Sequence, residues 1–462
     1  MLLLLLACSA PKPERSLILI SLDTVSASHL ALYGGRARMP KMERFAAEAT
    51  VFEEAISHFP ETGPSHWSIL TGVLPELHGN VAGQWDSACT TPTLAERFAA
   101  GGAATGAFIG GETLKASVTG LQRGFQVYDD TVSPDPTDMR RPANEVATAA
   151  TRWMSAQKEP YFAFIHYFDA HAPYTPRDPQ RYDPDYAGRY DGSIPSIAPH
   201  RERQEPIDPR DLEHIRALYH AEITELDEPL ARILDAAPAD AVVVILADHG
   251  ESFGHDYLFN HSGALWDEVL RVPLVIRAPS LTQGRVKGQV GLVDVAPTVA
   301  ALVGLPEITS SGRDLREQAA GRAEGAAQVW SLTDRWIRAP KKALRTSTHK
   351  LIWEGPEGTP PRAWRHDLDP DELTPVEPPA TLLDARRDYF AAVEAMRACV
   401  KSVPLRADPT QDQLKRLEAL GYLEDPGGPS PGNGTKVPNG PPQPVPPPPV
   451  PPPPVPPPPT SR

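Results

Sequence analysis

Cysteine is almost missing from this chain: 462 residues contain three, Cys8, Cys89 and Cys399. An odd, small number gives no disulfide framework. Long apolar runs are missing as well, and nothing approaches the roughly 20 residues that a transmembrane helix needs. Positive charge is in deficit, with Lys+Arg 45 against Asp+Glu 59 and a formal net charge of −14. The acidic residues are spread along the chain. A nucleic-acid partner is therefore not expected, because such a protein presents a basic face. The hydrophobic share of 40% supports a substantial core, and the length suits one large domain plus a smaller one.

The two ends read differently from the middle. Leu5-Leu6-Ala7-Cys8 resembles a bacterial lipobox, so residues 1–15 are expected to be a lipoprotein signal and tether, lipidated at Cys8. The apolar stretch is too short to span a bilayer. It lacks the basic segment of a secretory signal, which points to a start codon upstream of Met1. The expected location is the bacterial cell envelope, as a periplasmic or outer-membrane lipoprotein that meets the membrane through its lipid anchor alone. Residues 426–462 form a Pro-rich tail that repeats PPPPV from Pro441 to Thr460. Such a sequence is polyproline II in character and builds no core; it suits a stiff spacer or a peptide ligand.

Between the ends, short apolar runs alternate with helical patterns. Strands are expected at Leu17–Leu22, Thr105–Ile109, Pro160–His166, Ala241–Leu246 and Pro273–Arg277, as continuous runs that suit strands buried on both faces. Helices are expected at Met39–Glu54, Thr93–Ala100, Asn144–Gln157, Leu212–Ala236 and Val293–Val303, with Gly124–Asp130 as loop and Tyr182–Pro209 as an irregular surface insertion. This order predicts an α/β fold with a mostly parallel sheet over residues 16–320. A small α+β subdomain is expected over 321–425, with a hairpin at Ala343–Thr346 and Lys350–Trp353, a turn at Asp367–Glu372, and helices at Leu382–Val400 and Gln411–Leu420.

In such sheets the site lies at the carboxyl ends of the strands. Three strands here end in ligand-capable residues: Asp23, then His166, Asp169 and His171, then Asp248 and His249. A single Asp in that position is often a helix cap; three such endings in one sheet point to a site. The stretch Phe59–Gly72 (FPETGPSHWSILTG) completes the pattern. Gly63-Pro64 reads as a helix start, with Thr62 at or just before the cap. A helix N-terminus turns free N–H groups and partial positive charge toward an anion. Thr62 is thus either a routine N-cap or a nucleophile.

The motifs resemble the sulfatase family within the alkaline-phosphatase-like superfamily, from Ser16 to Leu423. In the family's order they are ILISLDT (Ile18–Thr24), TGPSHWSILTG (Thr62–Gly72), HYFDAHAPY (His166–Tyr174), ILADHGESFGHD (Ile245–Asp256), HSGALWDEVLRVPLVIRAP from His261, and VDVAPT (Val293–Thr298). RTSTHKLIW, DLDPDE and LEALGYL follow. The resemblance implies the sulfatase-like sheet sandwiched by helices and a hydrolase of sulfuric or related phosphate and phosphonate esters. It implies one divalent ion (Zn, Mn, Mg or Ca) on Asp23, Asp248, His249 and Thr62. His66, His171 and His261 take catalytic roles with Thr62, and His166 and His255 bind substrate, a small-molecule, glycan or lipid ester. Carboxylates with imidazole suit Zn, Mn or Mg-like sites, and an imidazole disfavours a pure calcium site; histidine titrates near neutrality.

The sequence also departs from the family. The position oxidised to formylglycine, Cys or Ser within Cys/Ser-x-Pro-x-Arg, holds Thr62; the arginine is His66, the second aspartate is Thr24, and His261 stands where many members carry lysine. Threonine cannot yield that aldehyde by the same route, so a direct Thr62 alkoxide is expected, as in the superfamily's phosphodiesterases and phosphoethanolamine transferases. The alternatives are an envelope phospho-group transferase and a binding protein without catalysis.

Overall fold

The computed structural model describes residues 11–397 apart from 81–89, 134–139, 159, 204, 256–257, 334–339 and 356–357. Cys8 with its lipobox, the Gln411–Leu420 helix and the Pro-rich tail lie outside the described residues, as do the last residues of the Leu382–Val400 helix. Among the described residues no helix is long and apolar enough to cross a membrane.

Eight strands form the main sheet: β1 Leu17–Leu22, β2 Thr50–Ile56, β3 Ala104–Phe108, β4 Val127–Asp129, β5 Tyr161–Tyr167, β6 Val242–Leu246, β7 Arg271–Arg277 and β8 Gly284–Gly291. Their order is β4-β3-β5-β1-β6-β7-β2-β8. All pairs are parallel except those of β7 with β6 and with β2. The central strands β1, β5 and β6 are fully buried along their lengths, which is why they read as unbroken apolar runs. Side chains of β5 alternate between faces. Tyr161 meets Trp153 of the helix Ala143–Ser155, while Phe162 meets Phe98 of the helix Leu94–Ala100 on the other side. Helices therefore flank the sheet on both faces.

Several local expectations need correction. Met39–Glu54 is a helix only over Pro40–Ala46; the chain then enters β2. Thr50, Val51 and Phe52 are β-formers, and β7 and β8 supply hydrogen-bonding partners on either side of them. Within Gly124–Asp130, residues Val127–Asp129 form an edge strand. Leu212–Ala236 is two helices, Pro209–Glu225 and Asp227–Ala236. Pro229 explains the second start: it sits in the first turn, where its missing N–H has no intrahelical partner to lose. The Tyr182–Pro209 insertion carries two short helical turns, Ile194–Ile197 and Ala198–Arg203.

The C-terminal sheet is antiparallel: β9 Val329–Thr333, β10 Lys341–Arg345, β11 Lys350–Glu354, β12 Arg362–Trp364 and β13 Pro375–Val376, in the order β13-β12-β11-β10-β9. The β10–β11 hairpin is the one expected, and the helix Ala385–Arg397 follows. Two hydrogen bonds seat β9 beside the main sheet, from Ser331 Oγ to the Ser57 carbonyl (2.6 Å) and from the Leu332 N–H to the His58 carbonyl (3.0 Å). A buried ionic network joins the same two bodies. Lys350, fully buried, donates to Asp267 (2.7 Å) and lies 3.1 Å from Glu372; Arg345 bonds Asp267 (2.9 Å) and Glu54.

Removing one partner of a buried ion pair leaves uncompensated charge. Lys350→Met keeps the volume and leaves Glu372 without its cationic partner. It is expected to lower stability by about 3–5 kcal/mol, read as a fall in the denaturant midpoint. An unchanged midpoint contradicts this role for the network.

Candidate active site and metal centre

The site grows out of sheet order. β5, β1 and β6 are adjacent and parallel, with Ser21 opposite both His166 and Leu246. Three ligand-bearing loops therefore leave the sheet side by side. The Asp23 N–H donates to the Tyr167 carbonyl (2.9 Å), and the Asp23 carboxylate meets His166 Nε2 at 2.9 Å. Asp248 and His249 follow β6 directly.

Asp23, Asp248 and His249 each offer a ligand atom, and these atoms lie within 4.8 Å of one another, all buried. Asp23 Oδ1 and both carboxylate oxygens of Asp248 have no hydrogen-bond partner. Burying carboxylates unsatisfied is costly, and the strain shows in their acidities. Burial pushes Asp23 up to about 7, against the pull of His249 and Thr62. Asp248 is raised by burial and then by the charge of Asp23. His249 is disfavoured as a cation by burial, yet Asp248 and Asp23 outweigh that and raise its pKa. Oxygen and imidazole donors converging with orphaned lone pairs fit a divalent cation.

Thr62 is the first residue of the helix Thr62–Thr71, which ends at Gly72 with φ 74. The helix begins slightly before the expected Gly63-Pro64, so Pro64 lies in its first turn. Glu61 holds the cap position without a side-chain capping hydrogen bond, so Thr62 is not itself the N-cap. Its Oγ1 lies 3.4 Å from His249 Nε2. A hydroxyl thus sits between a helix N-terminus and the carboxylate–imidazole group.

His261 and His171 extend the site. The His261 ring stands 4.1 Å from that of His249, and its Nδ1 bonds the Pro60 carbonyl (2.7 Å). His171 stacks on Phe168 at 4.4 Å and bonds the Ala172 carbonyl through Nδ1 (2.8 Å). With both Nδ1 atoms donating to carbonyls, the two Nε2 atoms face each other at 3.4 Å. Burial pushes His171 down to about 3, with Arg201 and Arg140 adding to the fall.

The other expected site residues are placed differently. His66 is fully buried; its Nδ1 donates to the Thr62 carbonyl (2.7 Å), and its Nε2 accepts from Ser21 Oγ (2.9 Å). It also lies 3.5 Å from Asp248 Oδ2. Burial holds it down at about 4, against the pull of Asp248. His66 therefore sits behind Thr62 with both ring nitrogens engaged. His166 stands against Asp23, pushed down by burial to about 4. His255 stacks on Trp266 (4.0 Å), whose neighbours include residues of the C-terminal sheet. Asp169 accepts the Ala143 N–H at 3.0 Å and so serves the start of a helix.

Some supporting residues went unnoticed in the sequence. Ser65 Oγ donates to the Asp248 carbonyl (2.8 Å); its spacing one helical turn from Thr62 was the available signal. Ser21 and Tyr219 carried no local signal, because their partners are set by packing across the sheet.

The Sulfatase family model matches residues 15–305. The ulvan-active sulfatase of Formosa agariphila is 25% identical over 362 residues, 69% of this chain and 69% of its own length. The uncharacterized sulfatase YidJ of Escherichia coli is 29% identical over 168 residues, which span 32% of this chain and 33% of that protein. Among solved structures, BT4656 in complex with its substrate D-glucosamine-2-N,6-O-disulfate superposes with a TM-score of 0.67 at 16% identity, covering 84% of this chain and 98% of that one. The phosphonate monoester hydrolase of Agrobacterium radiobacter gives 0.66 at 20% identity, covering 84% and 96%. The structural likeness is one of fold; the family match takes in the whole main sheet and every strand end that meets at Thr62. The chain belongs to the sulfatase family, in the alkaline-phosphatase-like superfamily of ester hydrolases.

Proposed function

We propose that this chain is a metal-dependent hydrolase of sulfate esters or related phosphate and phosphonate esters, with the Thr62 hydroxyl as its nucleophile. The observation that carries the reading is the position of Thr62 Oγ1. It lies at a helix N-terminus, 3.4 Å from His249 and beside the orphaned carboxylate oxygens of Asp23 and Asp248. Asp23, Asp248 and His249 would hold the cation, with Thr62 facing it. When bound, the cation supplies charge that polarises the ester oxygens and lowers the pKa of the Thr62 hydroxyl. Sulfate and phosphonate centres are both tetrahedral, and proteins named for each class share this fold. A glycan or small-molecule ester is the substrate class, and lipidation of Cys8 would keep the enzyme at the envelope.

The chain's own groups divide the work. The Thr62 oxygen attacks the sulfur or phosphorus in line; its bond to that centre forms as the bond to the departing alcohol oxygen breaks. His171 and His261 handle the proton. Two facing Nε2 lone pairs repel, and one shared proton resolves the contact, so an incoming anion favours protonating the pair. That proton passes to the departing oxygen. Water then attacks the Thr62 ester and gives a proton back to the pair, while the departing Thr62 alkoxide takes back from solvent the proton that its hydroxyl gave up to solvent before the attack. His66 does not reach the reacting atoms in this scheme. It fixes the first helical turn by tying the Thr62 carbonyl to Ser21.

Thr62→Ala is expected to lower kcat on an aryl sulfate or aryl phosphonate by about 10³-fold or more, while Thr62→Ser retains part of it. Full turnover in the alanine variant contradicts the nucleophile. His171→Gln is expected to slow alkyl esters by about 10²–10⁴-fold, the usual contribution of a general acid. A 4-nitrophenyl ester, whose departing oxygen needs no proton, should slow far less. Equal losses on both substrates remove His171 from that role.

A further inference from the structure

Tyr219 lies on the helix Pro209–Glu225, outside every site motif, and it is fully buried. Its hydroxyl donates to the Thr24 carbonyl (2.6 Å) and accepts from the Ser26 N–H (3.1 Å). It thereby brackets the turn that follows Asp23. That turn is strained: Thr24, a β-branched residue, has φ 58, in the left-handed region that such residues avoid. A strained residue persists only where its surroundings over-determine it.

The ring of Tyr219 does more than carry the hydroxyl. Its centroid lies 5.1 Å from His29, 5.8 Å from Tyr174 and 4.9 Å from Phe253. His29 belongs to the loop after β1, Tyr174 to the loop after β5, and Phe253 to the loop after β6. One side chain therefore touches all three loops whose strand ends meet at the site. Edge-to-face and tilted contacts at these distances suit aromatic packing.

We infer that Tyr219 is a positioning residue for the metal centre: it clamps the Asp23–Ser26 turn in its strained form and registers the three site loops against one another. It touches neither cation nor substrate; it acts through the direction in which Asp23 is presented. Partners beyond the ligands typically tune metal affinity by about 10- to 100-fold. The inference rests on the metal reading given above.

The test is Mn²⁺ affinity of the full chain by calorimetry, so that turnover is not the only readout. Tyr219→Phe keeps the ring and removes both hydrogen bonds. Tyr33→Phe is the matched control, because the Tyr33 hydroxyl likewise bonds a carbonyl and an N–H, both of Leu274, at 3.3 and 3.0 Å on β7. The expected result is a Kd for Mn²⁺ raised about 10-fold or more in Tyr219→Phe, with an unchanged Kd in Tyr33→Phe and similar falls in Tm. Ser26→Pro is the second variant: Ser26 has φ −72, which proline adopts; the donated N–H is lost from the bracket, and the Ser26 Oγ–Ser28 Oγ bond (2.8 Å) goes with it, so Ser26→Ala, which loses that bond alone, is run beside it. Ser26→Pro should weaken Mn²⁺ binding more than Ser26→Ala does, even where Tyr219→Phe does not fold. An unchanged Kd in whichever of Tyr219→Phe and Ser26→Pro folds overturns the inference alone. A wild-type chain that binds no divalent metal overturns the metal reading and the inference with it.

Discussion

Two buried carboxylates held side by side set the terms for this molecule. Asp23 and Asp248 end adjacent parallel strands, so the register of β1 and β6 forces them together wherever the sheet forms. Neither is fully satisfied by the surrounding protein, since Asp23 Oδ1 and both Asp248 oxygens lack hydrogen-bond partners. Burial makes each hard to ionise, and the charge of Asp23 makes Asp248 harder still. Such a pair fits a divalent cation, and several groups around it hold it in place. His166 steadies one oxygen of Asp23, Ser65 bonds the Asp248 backbone, and Tyr219 brackets the turn after Asp23.

The position of Thr62 follows from the same constraint. The helix Thr62–Thr71 directs its N-terminus at the carboxylate pair, where its partial positive charge partly offsets theirs. His66, in the place where family members carry arginine, ties that helix to β1 through Ser21. An arginine there would remain charged, whereas burial keeps His66 neutral. The substitutions at Thr62 and His66 are therefore coupled in space. The first turn of the helix holds a plain hydroxyl and a neutral tie.

Much of the architecture was legible because its central strands are buried on both faces. β1, β5 and β6 are unbroken apolar runs, and their ligand-bearing ends follow from reading where each run stops. β2 was hidden because Thr50–Ile56 continues an Ala- and Glu-rich helical pattern; only β7 and β8, far away in sequence, decide the matter. β8 was missed because GRVKGQVG is glycine-rich and charged, with three of its eight residues exposed at the sheet edge. At the site, strand ends and the Thr62 helix gathered Asp23, Asp248, His249, His171 and His261 from sequence order. His255 sits instead on Trp266, and Asp169 serves a helix start. Spacing alone does not say which way a loop residue turns. Tyr219 and Ser21 could not be read at all, since a tyrosine in an amphipathic helix and a serine in a strand look ordinary until packing gives them partners.

The central claim is that a divalent cation occupies the Asp23–Asp248–His249 group with Thr62 facing it. The most direct measurement is an anomalous difference map from crystals of the full chain soaked in Mn²⁺. The account predicts a peak bounded by Asp23, Asp248 and His249 and adjacent to Thr62 Oγ1. A peak found only elsewhere, or none with either Mn²⁺ or Zn²⁺, would contradict it.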